Sequence, residues 1–132
     1  MIKSFNLQST LDKETIDITE LINKAVQESD IEEGMAFIFV PHTTAALTII
    51  ENADPDVQKD LLYKLKELVP RDSRFFHFEG NSDAHIMSSL IGSSITVPIE
   101  NHALWLGKWQ GIYLVELDGP KKREVGIKLV RA

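Results

Sequence analysis

The sequence contains no cysteine, and this absence excludes several kinds of site. Without cysteine the chain has no disulfide framework, no thiolate zinc site and no cysteine nucleophile. Any metal ion that it binds must therefore be held by histidine and oxygen ligands. The chain has four histidines, and these are the first candidates for chemistry.

Long apolar runs and excess positive charge are absent as well. The apolar segment 35–40 is far too short to span a bilayer, and segment 1–10 lacks the apolar stretch of a signal peptide. We therefore expect a cytoplasmic protein without a membrane partner. The 14 Lys and Arg residues against 20 Asp and Glu residues give a net charge of -6, which repels phosphate backbones. A nucleic-acid partner is not expected.

The pattern of apolar residues predicts a single domain, residues 1–132, without repeats or linkers. A hydrophobic content of 43% is enough for one core. Three helices are predicted: one after Asp17 that stops near Gly34, one from Asp54 to Pro70, and one from Asn81 to about Ile91. Strands are predicted at 5–7, 16–18, 35–40, 47–50, 94–99, 109–117 and 124–130.

Two segments shape the predicted sheet. The unbroken apolar run Met35–Val40 predicts a strand that is buried on both faces at the sheet centre. Residues Asp118–Pro120 predict a hairpin that joins the last two strands. Mostly antiparallel strands with a few helices packed against them define the α+β class, and we expect more strands than helices.

His42 follows Pro41 at the point where the predicted buried strand ends. Strand ends are positions at which rigid scaffolds present functional groups. Two interpretations remain open at this stage. His42 either belongs to a functional site or is a turn residue whose ring is satisfied by the Thr43 or Thr44 hydroxyl.

His77 and His85 flank the start of the third predicted helix. The apolar stripe of that helix is predicted to consist of Ala84, Met87, Leu90 and Ile91. His85 points away from this stripe, so it faces solvent, a pocket or a partner subunit. His77 lies in an aromatic stretch, and the polar segment 80–83 can bring it back near His85.

His42, His77 and His85 together suggest a catalytic metal site. Three neutral imidazoles with an open fourth position suit Zn²⁺ or a similar divalent ion, which would activate water or hold a phosphate oxygen. The three residues do not have the close spacing of a known metal motif. Glu51 and Asp83 lie near the histidine segments, where either carboxylate would orient an imidazole or act as a base.

Other polar residues carry weaker signals. Trp109 and Gln110 would offer an aromatic wall and an amide to a ring-shaped substrate, although a core tryptophan is commoner at a strand start. His102 has the pattern of an ordinary turn residue and is assigned no role. Five basic residues either receive an anionic ligand or only solvate loops; they are Arg71, Arg74, Lys121, Lys122 and Arg123.

Three long blocks of the sequence resemble the YjbQ family. They are HTTAALTIIENADPDVQKDL (His42–Leu61), EGNSDAHIMSSLIGSSITVPIEN (Glu79–Asn101) and GKWQGIYLVELDGPKKREV (Gly107–Val125), and the likeness covers nearly the whole chain. The resemblance implies a homotrimer of small α+β subunits, with antiparallel sheets in a sandwich or barrel-like core and helices outside. It also implies a weak thiamine-phosphate synthase activity, a transferase reaction regarded as secondary in the family.

The family motifs also place candidate residues. The motif histidines fall on His42, His77 and His85, which supports one site formed by all three rings, with a subunit boundary as one possible location. The substrate-binding candidates are Thr43, Thr44, Asn81, Trp109 and Gln110. Further pocket candidates from the same motifs are Glu51, Asn52 and Asp83.

Three functions therefore remain open. The first is a metal-dependent enzyme that acts on a phosphorylated small molecule, with zinc, or with magnesium if the substrate is a pyrophosphate. Its candidate catalytic groups are His42, His85, Asp83 and Glu51. The second is a metal-dependent phosphoester hydrolase that uses the same ligands. The third is a non-catalytic small-molecule-binding trimer whose histidines hold the subunits together.

Overall fold

The computed structural model describes residues 2–132, which form three helices and eight strands. The strands are β1 (Ile2–Gln8), β2 (Glu14–Asp17), β3 (Gly34–Phe39), β4 (Ala45–Glu51), β5 (Ser94–Glu100), β6 (Ala103–Leu104), β7 (Gln110–Glu116) and β8 (Lys122–Arg131). The helices are α1 (Thr19–Glu28), α2 (Pro55–Leu68) and α3 (Ser82–Ile91). The predicted α+β class is confirmed, and strands outnumber helices as expected.

The strands form two antiparallel sheets, a five-stranded sheet in the order β1-β8-β3-β5-β6 and a three-stranded sheet in the order β2-β7-β4. β3 lies in the middle of the larger sheet, as predicted. The prediction that both faces of β3 are buried is wrong, because Phe37 and Phe39 are 44% and 50% exposed while Ala36 and Ile38 are buried. Only one face of this sheet packs on the core, so successive side chains alternate between core and surface.

The last two strands do not pair with each other. β7 lies in the three-stranded sheet and β8 in the five-stranded sheet, so the prediction of a hairpin at Asp118–Pro120 is wrong. This segment instead carries the chain from one sheet to the other. A hairpin and a crossover between sheets show the same apolar alternation on either side of a turn, and the sequence pattern does not distinguish them.

The core fills the space between the two sheets and continues beneath α2 and α3. In the main cluster, Ile22 and Val26 of α1 pack with inward side chains of both sheets, including Ile38, Leu114 and Val125. A second cluster lies on the other face of the three-stranded sheet and consists of Ala46, Leu65, Val69, Ala84, Met87, Val115 and Leu117. The expected sandwich-like core with helices packed outside is therefore present.

The helices differ from the predictions in two details. α1 ends at Glu28 rather than near Gly34, because Ser29 adopts an extended backbone and its hydroxyl bonds to the last helical turn. Leu90 was predicted to be buried but is 67% exposed. The residues of α3 that point inward are Asp83, Ala84, Met87 and Ser88. None of the helices between residues 2 and 132 is long and apolar enough to cross a membrane.

Candidate functional site

His77 and His85 lie side by side at the start of α3. Their ring centroids are 5.5 Å apart, and the ring planes make an angle of 89°. Both rings line an open surface cavity of about 490 Å³. The other lining residues are Arg74, Phe75, Phe76, Ser82 and Ile86. The loop that precedes α3 therefore brings two of the candidate histidines to one cavity.

Two groups next to the rings could interact with an anion, the Arg74 guanidinium and the start of α3. The guanidinium of Arg74 binds the Asp72 carboxylate, with Nε 2.9 Å from Oδ1 and Nη2 2.6 Å from Oδ2. These hydrogen bonds lower the pKa of Asp72. Ser82 begins α3, whose amino-terminal end carries a partial positive charge. A second cavity, of about 300 Å³, shares His77 and Ser82 with the first and extends to Arg71.

The spacing of the two rings is compatible with a shared metal ion. An imidazole nitrogen binds zinc at about 2.0–2.1 Å, so two rings at a tetrahedral angle have centres about 5.2 Å apart. The observed separation of 5.5 Å is close to that value. Within residues 2–132, however, no group of three or more histidine or carboxylate side chains is arranged to hold a metal ion. The described residues therefore bring two imidazoles together without a third ligand beside them.

His42 is not among the residues that line the cavity of His77 and His85. It lies between β3 and β4, and its Nε2 accepts a hydrogen bond from the backbone N–H of Glu124 at 2.9 Å. The partner of the ring is thus a strand backbone and not a neighbouring threonine hydroxyl. Because Nε2 accepts this bond, the neutral ring carries its proton on Nδ1.

The surroundings of His42 favour its neutral form. Burial lowers the pKa of His42, and the positive charge of Arg123 lowers it further, while Glu116 and Glu124 act in the opposite direction. The net pKa lies below the ordinary value of 6.5. The ring is therefore an uncharged hydrogen-bonding group at neutral pH.

We expect the NMR titration of the His42 ring to have its midpoint below pH 6.5. A histidine whose pKa is lower in the folded state favours folding above the unfolded pKa, and this contribution is lost as the pH falls through the folded value. Below pH 6.5, the free energy of unfolding of the wild type should fall as the His42 ring becomes protonated. A His42→Gln variant should lack this part of the pH dependence. A ring midpoint at or above 6.5 would contradict the prediction.

A buried ion pair holds the turn that carries His42. Arg123 donates from Nε to Oε1 of Glu116 at 2.8 Å, and its Nη2 contacts the other carboxylate oxygen. The same Nη2 donates to the carbonyl and hydroxyl oxygens of Thr44, each at 2.9 Å. The hydroxyl of Ser9 donates to Glu116 at 2.6 Å. Thr44 is thus buried in a structural network, whereas Thr43 is exposed.

The charges of this network stabilise each other. Burial by itself raises the pKa of Glu116, but hydrogen bonds from Arg123, Ser9 and the backbone of Asp118 outweigh that effect and lower the pKa overall. From the sequence, Arg123 was expected either to receive an anionic ligand or to solvate a loop, and Glu116 was given no role. The available signal was the position of Arg123 two residues before Val125 and four before Ile127, on the buried face of β8.

Asp83 and Asn81 make contacts that hold α3 in place. Asp83 is buried, with Oδ2 3.1 Å from Nζ of Lys13, and that ammonium also donates to the carbonyl of Leu117 at 2.7 Å. Asn81 donates from Nδ2 to the carboxylate of Asp118 at 2.9 Å. Each of these predicted site residues therefore has a structural partner close to the cavity.

Glu51, Trp109 and Gln110 lie at the far end of β4 from the His42 turn. β4 runs from residue 45 to residue 51, so its length separates the two groups by about 20 Å. The side chains of Glu51 and Gln110 accept hydrogen bonds from nearby backbone N–H groups. Trp109 is 55% exposed and lies beneath the ammonium of Lys108, so it is not a core residue.

The fold and the site together describe a small α+β sandwich with a pair of histidines in a surface cavity. The chain belongs to the UPF0047 protein YjbQ-like family, whose sequence pattern matches residues 3–132. The family resemblance noted in the sequence is thereby confirmed.

Relatives match this chain over nearly its full length. A UPF0047 protein of Methanocaldococcus jannaschii is 46% identical over 130 residues, which are 98% of this chain and 94% of that protein. The UPF0047 protein YugU of Bacillus subtilis is 47% identical over 131 residues, which are 98% and 99% of the two chains.

Solved structures of similar proteins share the fold. A YjbQ/UPF0047 family protein from Clostridium acetobutylicum has a TM-score of 0.95 at 51% identity, covering 97% of this chain and 99% of that one. A YbjQ-like protein of unknown function from Sulfolobus solfataricus has a TM-score of 0.94 at 29% identity. The match covers 100% of this chain and 97% of that one.

Proposed function

We propose that this protein is an enzyme that acts on a phosphorylated small molecule in the cavity at the start of α3. The observation that carries the proposal is the pair of imidazoles, 5.5 Å apart, on the wall of a cavity of about 490 Å³. Small-molecule sites commonly have volumes of about 300–1,000 Å³. The amino-terminal end of α3 favours an anionic group there, and the guanidinium of Arg74 would add to this if the ligand displaced the Asp72 carboxylate.

In this proposal His77 and His85 are two ligands of a divalent ion, and zinc is the ion that best suits imidazole nitrogen. His42 would complete the set only across a subunit boundary in a homotrimer, the assembly that the family resemblance implies, and its Nε2 would first have to give up the hydrogen bond from the Glu124 N–H. The ion supplies positive charge for the phosphate oxygens when it is bound. Ser82 would bind the phosphate, and Arg74 would do so after leaving the Asp72 carboxylate.

The finer proposal for the reaction rests on the family resemblance. It is a transfer of the thiamine-phosphate synthase type, in which a thiazole phosphate attacks a pyrimidine diphosphate and pyrophosphate leaves. Magnesium is the alternative ion for that reaction, and because it prefers oxygen ligands it would be held mainly by the diphosphate and not by His77 and His85. The alternative reaction that we propose is hydrolysis of a phosphoester at the same ligands.

Zinc titration of the purified protein tests the ligand assignment. His77→Ala and His85→Ala should each weaken zinc binding by at least about 100-fold, because each removes a direct ligand. His42→Ala should weaken it to a similar degree, and His102→Gln, which alters a histidine outside the cavity, should leave it unchanged. Equal zinc affinity in the wild type and a His77→Ala/His85→Ala double variant would contradict the proposal.

Assays of the same variants separate the enzymatic alternatives from the non-catalytic one. The wild type is incubated with a pyrimidine diphosphate and a thiazole phosphate, and separately with a panel of phosphoesters. Turnover that is lost in His85→Ala while light scattering still reports the wild-type mass supports the enzyme. A changed mass without any turnover in the wild type would favour a binding trimer held together by its histidines.

A further inference from the structure

His102 occupies a position that few histidines adopt. β5 and β6 are joined by the two residues Asn101 and His102, and the flanking residues Glu100 and Ala103 pair with each other. Both loop residues have positive φ angles, 53° for Asn101 and 64° for His102. Positive φ angles at both positions define a type I′ two-residue hairpin loop, a left-handed backbone that asparagine and glycine tolerate best.

The ring of His102 faces two carbonyl groups at once. Nδ1 lies 2.9 Å from the carbonyl oxygen of Ile31, and Nε2 lies 3.1 Å from that of Gln27. A carbonyl oxygen only accepts hydrogen bonds, and a neutral imidazole has a single N–H donor. Only the doubly protonated imidazolium satisfies both contacts. In the neutral ring, one nitrogen lone pair would point at a carbonyl oxygen.

Backbone contacts surround this ring and join the same two parts of the molecule. The N–H of His102 donates to the carbonyl of Glu32 at 2.9 Å, and the side chain of Gln27 donates to the carbonyl of His102 at 2.7 Å. The N–H of Asn101 donates to the Glu33 carboxylate at 3.2 Å. The hairpin is thus attached at several points to the end of α1 and the loop after it.

The charged groups around His102 are mostly acidic. Asp30 and Glu32 face it from the loop after α1, Glu33 binds the hairpin backbone, and Glu100 lies on its own hairpin. Arg131 of β8 binds Asp30 at 2.6 Å and offsets part of this charge. An extra positive charge on the ring is therefore favoured by its neighbours.

We propose that His102 is a pH-responsive latch that, as an imidazolium, fastens the β5–β6 hairpin to the carboxyl-terminal end of α1. Loss of one ring proton frees one of the two carbonyl groups and loosens the hairpin. The hairpin leads directly into the segment that contains the exposed Trp105. The proposal does not depend on the function proposed for the α3 cavity.

The direction of the pH response follows from the contacts. The hydrogen bond to the Ile31 carbonyl raises the pKa of His102, and burial of the ring lowers it. The hydrogen bond to the Gln27 carbonyl and the negative charges of Glu32 and Asp30 raise it further. The net pKa is above 6.5. A group whose pKa is raised on folding stabilises the folded state fully below the unfolded pKa. That contribution is lost as the pH rises through the folded pKa, which lies above 6.5.

NMR of the intact protein tests the protonation state directly. At pH 6.5 the ¹⁵N signals of the His102 ring should show that the imidazolium is the major form, and the titration midpoint should lie above the ordinary value of 6.5. Hydrogen-exchange protection of the His102 and Leu104 amides, corrected for intrinsic rates, should fall about tenfold as the ring is titrated, the effect of losing one hydrogen bond. A midpoint at or below 6.5 would overturn the proposal.

Two variants separate the ring from the turn. His102→Asn keeps a residue that tolerates a positive φ but lacks the ring, so the pH dependence of amide protection should disappear. Asn101→Gly keeps the ring and favours the turn, so that dependence should be retained. Unchanged pH dependence in His102→Asn would refute the latch. If this variant does not fold, the wild-type ring signals still decide the protonation state.

Discussion

Arg123→Met is expected to lower the free energy of unfolding by about 3–5 kcal/mol, the usual effect of removing one partner of a buried ion pair. Glu116 is fully buried, and without the guanidinium its carboxylate would keep only the donors Ser9 and the Asp118 backbone. The pKa of Glu116, now held below its usual value, should then rise because burial is no longer outweighed. Urea denaturation at pH 7 measures the loss of stability.

Two further variants control this experiment. Arg131→Met removes an exposed ion pair with Asp30 and should change the free energy of unfolding by no more than about 1 kcal/mol. Replacing both charges, as Glu116→Leu with Arg123→Met, should recover most of the lost stability, because no unpaired charge remains buried. If Arg123→Met lost no more stability than Arg131→Met, the pair would not hold the turn.

The same variant bears on the candidate site. Arg123 binds both oxygens of Thr44, and the next residue, Glu124, donates its N–H to His42. Loss of the guanidinium should therefore alter the ring signals of His42 while those of His85, in the α3 cavity, change little. Equal changes at both rings would indicate general unfolding.

Asp83→Ala is expected to cause a second large loss of stability, again about 3–5 kcal/mol. Lys13 is buried beside Asp83, and after this substitution its ammonium would keep the Leu117 carbonyl as its buried acceptor. A buried ammonium without a carboxylate partner is unfavourable, because it has lost water without gaining an opposite charge. Asp83 lies in the first turn of α3, so loss of its contact with Lys13 should weaken the attachment of this end of the helix. Thermal and urea denaturation measure the effect.

The matched control is Asp60→Ala, which replaces an exposed aspartate on α2 and should change stability by no more than about 0.5 kcal/mol. Lys13→Met combined with Asp83→Ala should restore part of the stability. An activity that returns in this double variant would show that Asp83 supports the fold of the cavity. An activity that stays absent in a stably folded double variant would instead show that the carboxylate acts on the substrate.

Local patterns were sufficient for much of the fold and for part of the site. The cap Asp54 and the following Pro55 set the start of α2, because these residues act on the backbone next to them. His77 and His85 are only eight positions apart, and a short polar loop was enough to predict that their rings approach each other. Blocks of family motifs covered nearly the whole chain and led to the correct family.

The tertiary structure decided the contacts between distant segments. It placed β7 and β8 in different sheets, paired Glu116 with Arg123 in the interior, and set the His102 ring against the end of α1. A residue's sequence neighbours specify its side of a strand or helix, but the element that packs against that side comes from elsewhere in the chain. Burial of a charge or a ring is a property of that packing, so its partners and its pKa follow only from the folded molecule.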